Sequence, residues 1–353
     1  MIEKQEELRA NAQKLAAPGK GLLAVDESTP TIGKRLALID LENTEEHRRA
    51  YRGLLFTTEG LGEFISGAIL FEETLYQDHA DGESMIDKLG KLGIIPGIKV
   101  DKGLRPLPGA LSGETWCNGI EGLVERAAEY YERGARFAKW RAVLQISDDG
   151  CPSQLAIREN AWGLARYARA VQESGLVPIV EPEILMDGAH SIERTAEVQE
   201  RVLTEVYNAC AQNGVFLEGS LLKPSMTVSG ADHADKESPQ KVAELTVRTM
   251  ERCVPASVPG IMFLSGGLTE EDASIYLNTI NSIPRKGPWS MSFSYGRALQ
   301  QSCLRAWRGT DLDAGQKALM ARAQANSEAS LGKYVAGSQP SAEESLFVAG
   351  YKY

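Results

Sequence analysis

"GIEGLVERAAEYYERGARFAKWRAVL", residues 119–144, holds the unit from which the chain is built. Residues 119–135 place apolar side chains at helical spacing between charged ones, and residues 137–144 form a short β-rich run. The same alternation runs through the whole sequence. Candidate strands are "LLAVD" (22–26), "GAILF" (67–71), "GIIPGIKV" (93–100), "FAKWRAVL" (137–144), "LVPIVEPEI" (176–184), "FLEGSLLKP" (216–224), "GIMFLSGG" (260–267) and "WSMSFSYG" (289–296). Amphipathic stretches such as 191–214 lie between them. Strands alternating with helices imply a parallel sheet, and eight such strands close into a (β/α)8 TIM barrel. The fold class is therefore α/β.

Domain organisation follows from what is missing. No low-complexity block or Ser/Gly linker divides the 353 residues, so residues 1–332 read as one barrel domain. The N-terminal "MIEKQEELRANAQKLAAPGKG" reads as a charged surface helix, unlike a signal or transit peptide. Residues 333–353 are small, polar and unpatterned, a mobile C-terminal tail. They regain apolar character only in "SLFVAGYKY", which suggests a tip that docks at the active site through Leu346, Phe347 and Val348.

Composition excludes several classes. A net charge of −10 leaves no basic surplus for wrapping nucleic acid. No apolar run approaches the roughly 20 residues needed to span a bilayer, so no membrane partner is expected. Five scattered cysteines without a CxxC pair fit reduced thiols. The four histidines lie far apart and no HExxH motif occurs, so neither a metal site nor a cofactor is expected.

Charged residues collect where barrel chemistry takes place, at the C-terminal ends of the strands. Strand by strand these are Asp26, Lys99, Lys139 with Arg141, Glu181 with Glu183, Lys223, Ser265 and Arg297. The second strand offers nothing obvious, although Glu72 and Glu73 follow it. Residues two apart on a strand share a face, so Lys139 with Arg141 and Glu181 with Glu183 should point inward together. Their opposite charges make joint burial tolerable.

Lys223 follows the apolar "SLL" and precedes Pro224. An amine attacks a carbonyl only when unprotonated, and both desolvation and a nearby cation such as Lys139 favour that form. This is the arrangement for Schiff-base catalysis, with a carboxylic acid such as Glu181 shuttling protons. A structural lysine paired to Glu181 would look the same. Two stretches suggest phosphate. Ser265-Gly266-Gly267 lies between a strand and a helix, where glycines let backbone N–H groups reach an anion. Gly296 and Arg297 repeat the arrangement after the last strand, with a guanidinium fork. Lys99, Arg35 and Ser28 could hold a second anion across the mouth, and Thr31 and Arg141 complete the substrate-contacting set.

"LLAVDEST", "ISGAILFEETLYQ", "PGIKVDKG", "GARFAKWR", "VPIVEPEIL", "LLKPSM", "FLSGG" and "SFSYGRALQ" together resemble class I fructose-bisphosphate aldolase, from about residue 15 to the C-terminus. The resemblance implies a metal-independent barrel, usually a homotetramer, acting on sugar phosphates. It makes Lys223 the Schiff-base lysine, Glu181 the proton shuttle and Asp26 a positioning acid beside the substrate hydroxyls. Lys139 and Glu183 support the imine steps. Ser265, Gly266, Gly267, Ser294 and Arg297 grip one phosphate, and Ser28, Lys99 and Arg35 serve the other. Tyr353 becomes a proton donor to the enamine carbon. Pro30-Thr31 departs from the glycine and hydroxyl residue common after "DEST", so the loop loses one N–H donor. The rivals are another Schiff-base aldolase or transaldolase, and a non-catalytic barrel scaffold. The expected compartment is the cytoplasm, with the plastid stroma as alternative if a transit peptide preceded Met1.

Overall fold

The computed structural model describes residues 2–351. Its strands are β1 (Gly21–Val25), β2 (Ile65–Leu70), β3 (Ile95–Lys99), β4 (Leu104–Pro106), β5 (Thr115–Cys117), β6 (Phe137–Leu144), β7 (Val177–Ile184), β8 (Leu221–Leu222), β9 (Gly260–Phe263) and β10 (Ser290–Tyr295). Eight of them close into a parallel barrel in the order β1-β10-β9-β8-β7-β6-β3-β2. The helical stretches expected from the sequence become Leu123–Glu132 and Ile192–Gln212. β4 and β5 form an antiparallel hairpin outside the barrel, inserted between β3 and β6. Nothing in the strand–helix alternation points to it.

The strand expected over 216–224 is much shorter. Leu217–Gly219 form a 3-10 turn, and only Leu221–Leu222 are extended and paired on both sides. On the β7 side the ladder continues with Lys223 N–H to the Val180 carbonyl at 2.8 Å and then meets Pro224, which has no N–H to give; on the β9 side the Pro224 carbonyl still accepts from Leu264 at 3.0 Å. Lys223 thus sits where regular pairing ends.

Inside the barrel the strands are apolar below and charged above. On β6 the alternating positions are Phe137, Lys139 and Arg141; on β7 they are Val177, Ile179, Glu181 and Glu183. Phe137, Val177 and Ile179 pack with Leu22, Ile69, Leu221 and Met262 into a floor. A side chain at Gly97 would lie 2.3 Å from the Phe137 ring, so that ring requires a glycine beside it. The intervening Trp140 and Val180 face the outer core against the helices.

The N-terminal helix Gln5–Leu15 is not the surface element expected. Leu8, Ala12 and Leu15 are fully buried and join the floor cluster, closing the barrel from beneath. Its charges Glu6, Glu7 and Lys14 disguise an apolar stripe at i, i+4 and i+7.

Residues 333–351 have no helix or strand but are held at many points. The Tyr334 hydroxyl donates to Glu271 at 2.8 Å, and Gly337 N–H donates to the same carboxylate. Ala342 N–H donates to the buried Glu270 at 2.7 Å, and Arg322 donates to the Pro340 carbonyl. Beyond this root, Leu346 is buried and its carbonyl accepts from Arg297.

Candidate active site

A cleft opens at the C-terminal ends of the strands. Asp26, Glu181, Glu183, Lys223 and Arg141 line one part of it; Ser265, Gly266, Ser294, Gly296 and Arg297 line another, with Arg35 and Glu27 between. Lys139 lies beneath, 1% exposed, so it shapes the site without opening onto it.

Glu181 is the centre of the charge arrangement. One of its oxygens lies 3.1 Å from Lys223 Nζ and the other 3.3 Å from Lys139 Nζ. Lys139 in turn lies 2.6 Å from Asp26. Two ammonium groups and two carboxylates are therefore buried as an alternating chain, Lys223–Glu181–Lys139–Asp26, whose charges cancel. Isolated burial of any one would cost several kcal/mol. Burial works against the Asp26 carboxylate, but Lys139 and Lys223 beside it hold its pKa down at about 2. Glu183 behaves similarly: burial opposes its charge, while Arg141 and Arg297 lower its pKa. Arg141 Nε donates to Glu183, two residues beyond its register partner Glu181 on β7.

The second group of lining residues has the chemistry to meet an anion. Gly266 and Gly267 adopt φ of 61° and 104°, a left-handed path that side-chain-bearing residues rarely take. Ser294 Oγ is buried without a hydrogen-bond partner among the described residues. Gly296 precedes the helix Arg297–Trp307. The Arg297 guanidinium stacks over the Tyr351 ring, 4.4 Å from its centre. Tyr351 also accepts through its carbonyl from Arg141 at 2.9 Å. Burial disfavours the Arg35 charge, yet Glu27 and then the Tyr351 phenol raise its pKa. Three arginines of the mouth thus meet one tail residue.

Several residues expected in the site fall outside the cavity lining. Lys99 is paired with the Asp101 carboxylate at 2.6 Å and donates to the Asp101 carbonyl at 2.9 Å, which takes two of its three donors. Ser28 and Thr31 hydrogen-bond each other at 3.0 Å. Gly267 is covered by the tail: a side chain there would lie 2.9 Å from Phe347 Cα. Pro30 stands in the first turn of the helix Thr29–Leu36, where a missing N–H costs no intrahelical bond. Tyr353 lies outside the described residues. Glu27 and Tyr351 line the cavity as well, and neither stands out in the sequence.

All five cysteines are thiols, four of them buried. Among the described residues no group of three His, Cys, Asp or Glu side chains is arranged to hold a metal ion, and no helix is long and apolar enough to cross a membrane.

Comparison with known proteins places this geometry. The family described as fructose-bisphosphate aldolase class-I matches residues 7–353. Fructose-bisphosphate aldolase 3, chloroplastic, of Arabidopsis thaliana is 57% identical over 351 residues, 99% of this chain and 88% of that protein. The cytoplasmic isozyme of Spinacia oleracea is 56% identical over 99% of this chain and 98% of its own length. Among solved structures, the aldolase of Plasmodium falciparum, in a ternary complex with TRAP and a small-molecule inhibitor, superposes with a TM-score of 0.93 at 54% identity. That match covers 95% of this chain and 97% of that one. With a closed eight-stranded barrel, a buried lysine at the end of β8 and relatives this similar over nearly the whole chain, the protein belongs to the class I fructose-bisphosphate aldolase family.

Proposed function

We propose that this class I fructose-bisphosphate aldolase cleaves its sugar bisphosphate through a Schiff base on Lys223. The observation that carries the reading is the contact between Lys223 and Glu181 inside a cavity lined by Ser265, Gly266, Ser294 and Arg297.

In this reading Lys223 first passes a proton to Glu181, 3.1 Å away, and the neutral amine then attacks the C2 ketone of fructose 1,6-bisphosphate. Glu181 gives a proton to the departing hydroxyl, and water leaves with formation of a protonated imine. A carboxylate, Glu181 or Asp26, takes the C4 hydroxyl proton. The C3–C4 bond breaks, its electrons move into the imine, and glyceraldehyde 3-phosphate departs. The enamine is then protonated at C3, the step assigned to Tyr353 at the tip of the 333–353 tail. Hydrolysis frees dihydroxyacetone phosphate and restores the amine. Lys139 and Glu183 support the imine steps electrostatically; Ser265, Gly266, Ser294, Gly296 and Arg297 hold one phosphate. The other phosphate falls to Arg35 and the loop of Ser28 and Thr31, with Lys99 able to serve through the N–H that Asp101 does not take. Gly267 then acts by shaping the cradle and seating the tail.

The homotetramer remains part of this proposal. So does a cytoplasmic location, since the relatives include both cytosolic and chloroplastic enzymes. Borohydride reduction with dihydroxyacetone phosphate, followed by peptide mapping, tests the central step. The triose should be found on Lys223 alone. An adduct on Lys139 or Lys99, with Lys223 unmodified, would refute the assignment.

A further inference from the structure

β2 contributes no charged group to the cavity, yet Glu72 and Glu73 follow it directly. Glu72 accepts from the Tyr130 hydroxyl at 2.6 Å and so ties down an outer helix. Glu73 turns the other way. Its carboxylate meets two arginines of the helix Glu45–Phe56: Arg48 at 2.6 Å and Arg52 at 3.1 Å.

Both arginines lead to the loop after β1. Arg52, 0% exposed, donates its second terminal nitrogen to the Glu27 carbonyl at 2.9 Å. Arg48 donates to Asn43 Oδ1 at 3.1 Å, and Asn43 Nδ2 donates to the Thr29 carbonyl at 2.9 Å. The loop carrying Asp26, Glu27 and Ser28 is therefore gripped from behind at two backbone carbonyls. Asp26 and Glu27 face the cavity on the other side.

We propose that Glu73, Arg48 and Arg52 are positioning residues, which set the placement of Asp26 and Glu27 toward the substrate without touching it. The proposal rests on the reading of the cavity as the aldol-cleavage site. Stability alone is a poor reason for this network. Arg52 is buried and its partner Glu73 is 22% exposed, and an arginine–carboxylate pair largely withdrawn from water is often no more stable than packed apolar side chains of the same volume. What an apolar cluster could not do is hold a carbonyl at a fixed point. Arg48 and Arg52 share one carboxylate, which fixes their planes relative to each other, and the Arg52 fork transmits that orientation to Glu27. The β1 loop needs such support because β1 ends at Val25, one residue before Asp26.

Two conservative variants test it, Arg52→Lys and Glu73→Gln, with Asn43→Ala as an exposed third that spares the buried pair. Arg52→Lys keeps the charge and loses the fork; Glu73→Gln keeps the shape and loses one charge-assisted acceptor. Each should lower kcat for fructose 1,6-bisphosphate cleavage about 10- to 100-fold, the scale of a misplacement near 1 Å. Dihydroxyacetone phosphate lacks the C4 hydroxyl, so its borohydride trapping on Lys223 should change by less than about threefold in the same variants. Asn43→Ala should show the same split with a smaller fall. Unchanged kcat in folded Arg52→Lys and Glu73→Gln would overturn the proposal. So would equal loss of trapping and cleavage in step with a lower Tm, which marks a structural staple. Trapping of the unmodified protein at Lys223 is the separate check on the cleavage reading itself.

Discussion

The floor and the mouth of the barrel are made by the same strands and obey opposite rules. Along β6, Phe137 at one end is locked among Leu15, Leu22 and Gly97, while Arg141 at the other end reaches Glu183 and the tail. Along β7, Val177 and Ile179 pack dry, and Glu181 two residues on is shared between two lysines. The floor maximises burial and tolerates nothing polar. The mouth buries four charges in alternation, which is difficult to stabilise and easy to make reactive. A change at the floor should therefore act on folding, and a change at the mouth on chemistry.

The sharpest test at the mouth is Lys223→Met. It should remove cleavage activity by at least about 10³-fold, since the lost group is the proposed nucleophile. Steady-state kinetics alongside a thermal melt would check that the fold persists. At the floor, Leu8→Ala should cost about 2–5 kcal/mol of stability, because a fully buried leucine leaves a cavity. Its KM should stay at the parent value in denaturant-free assays. A large KM change there would break the division between the two ends.

Arg297→Ala should weaken substrate binding by about 1.5–3 kcal/mol, the range for hydrogen bonds to charged groups. Unchanged KM and kcat would remove Arg297 from the substrate contacts. Asp26 gives the pH dependence. Its pKa falls from the ordinary 3.8 to about 2 in the folded chain, so its stabilisation is complete above 3.8 and is lost as pH falls through about 2. That difference is worth roughly 2 kcal/mol, and Asp26→Asn should lack this part of the acid dependence in chemical denaturation measured across that window. The smallest expected effect is that of a chelator: incubation with EDTA should leave cleavage unchanged. Loss of activity restored by zinc would overturn the proposed metal-independent Schiff base on Lys223.

Period-two alternation makes the inner faces of β6 and β7 legible from the sequence alone, because both strands run eight residues without a break. Legibility fails where alternation stops. Asp26 is legible as the end of "LLAVD", but β1 ends before it, so its neighbour Glu27 also reaches the cavity, which strand alternation does not permit. Arg35 reads as an anion ligand, and its pairing with Glu27 depends on the helix Thr29–Leu36 turning back over the loop. Tyr351 meets Arg141 across 210 residues of sequence, a separation at which local pattern carries no information. The floor helix is hidden by its own charges, which cover only its outer side.

The burial of Leu346 alters the statistics of the tail's end. From Gly332 to Tyr351 is 19 residues (351 − 332), but from Leu346 only 5 (351 − 346). A flexible tether spreads over about 5–6 Å times the square root of its length, so a chain free beyond Gly332 would range over roughly 22–26 Å and one free only beyond Leu346 over roughly 11–13 Å. Local concentration at the far end varies as the −3/2 power of length, so the shorter tether raises it about sevenfold. By holding the Leu346 carbonyl, Arg297 thus raises the effective molarity of the Tyr351 ring that stacks on it.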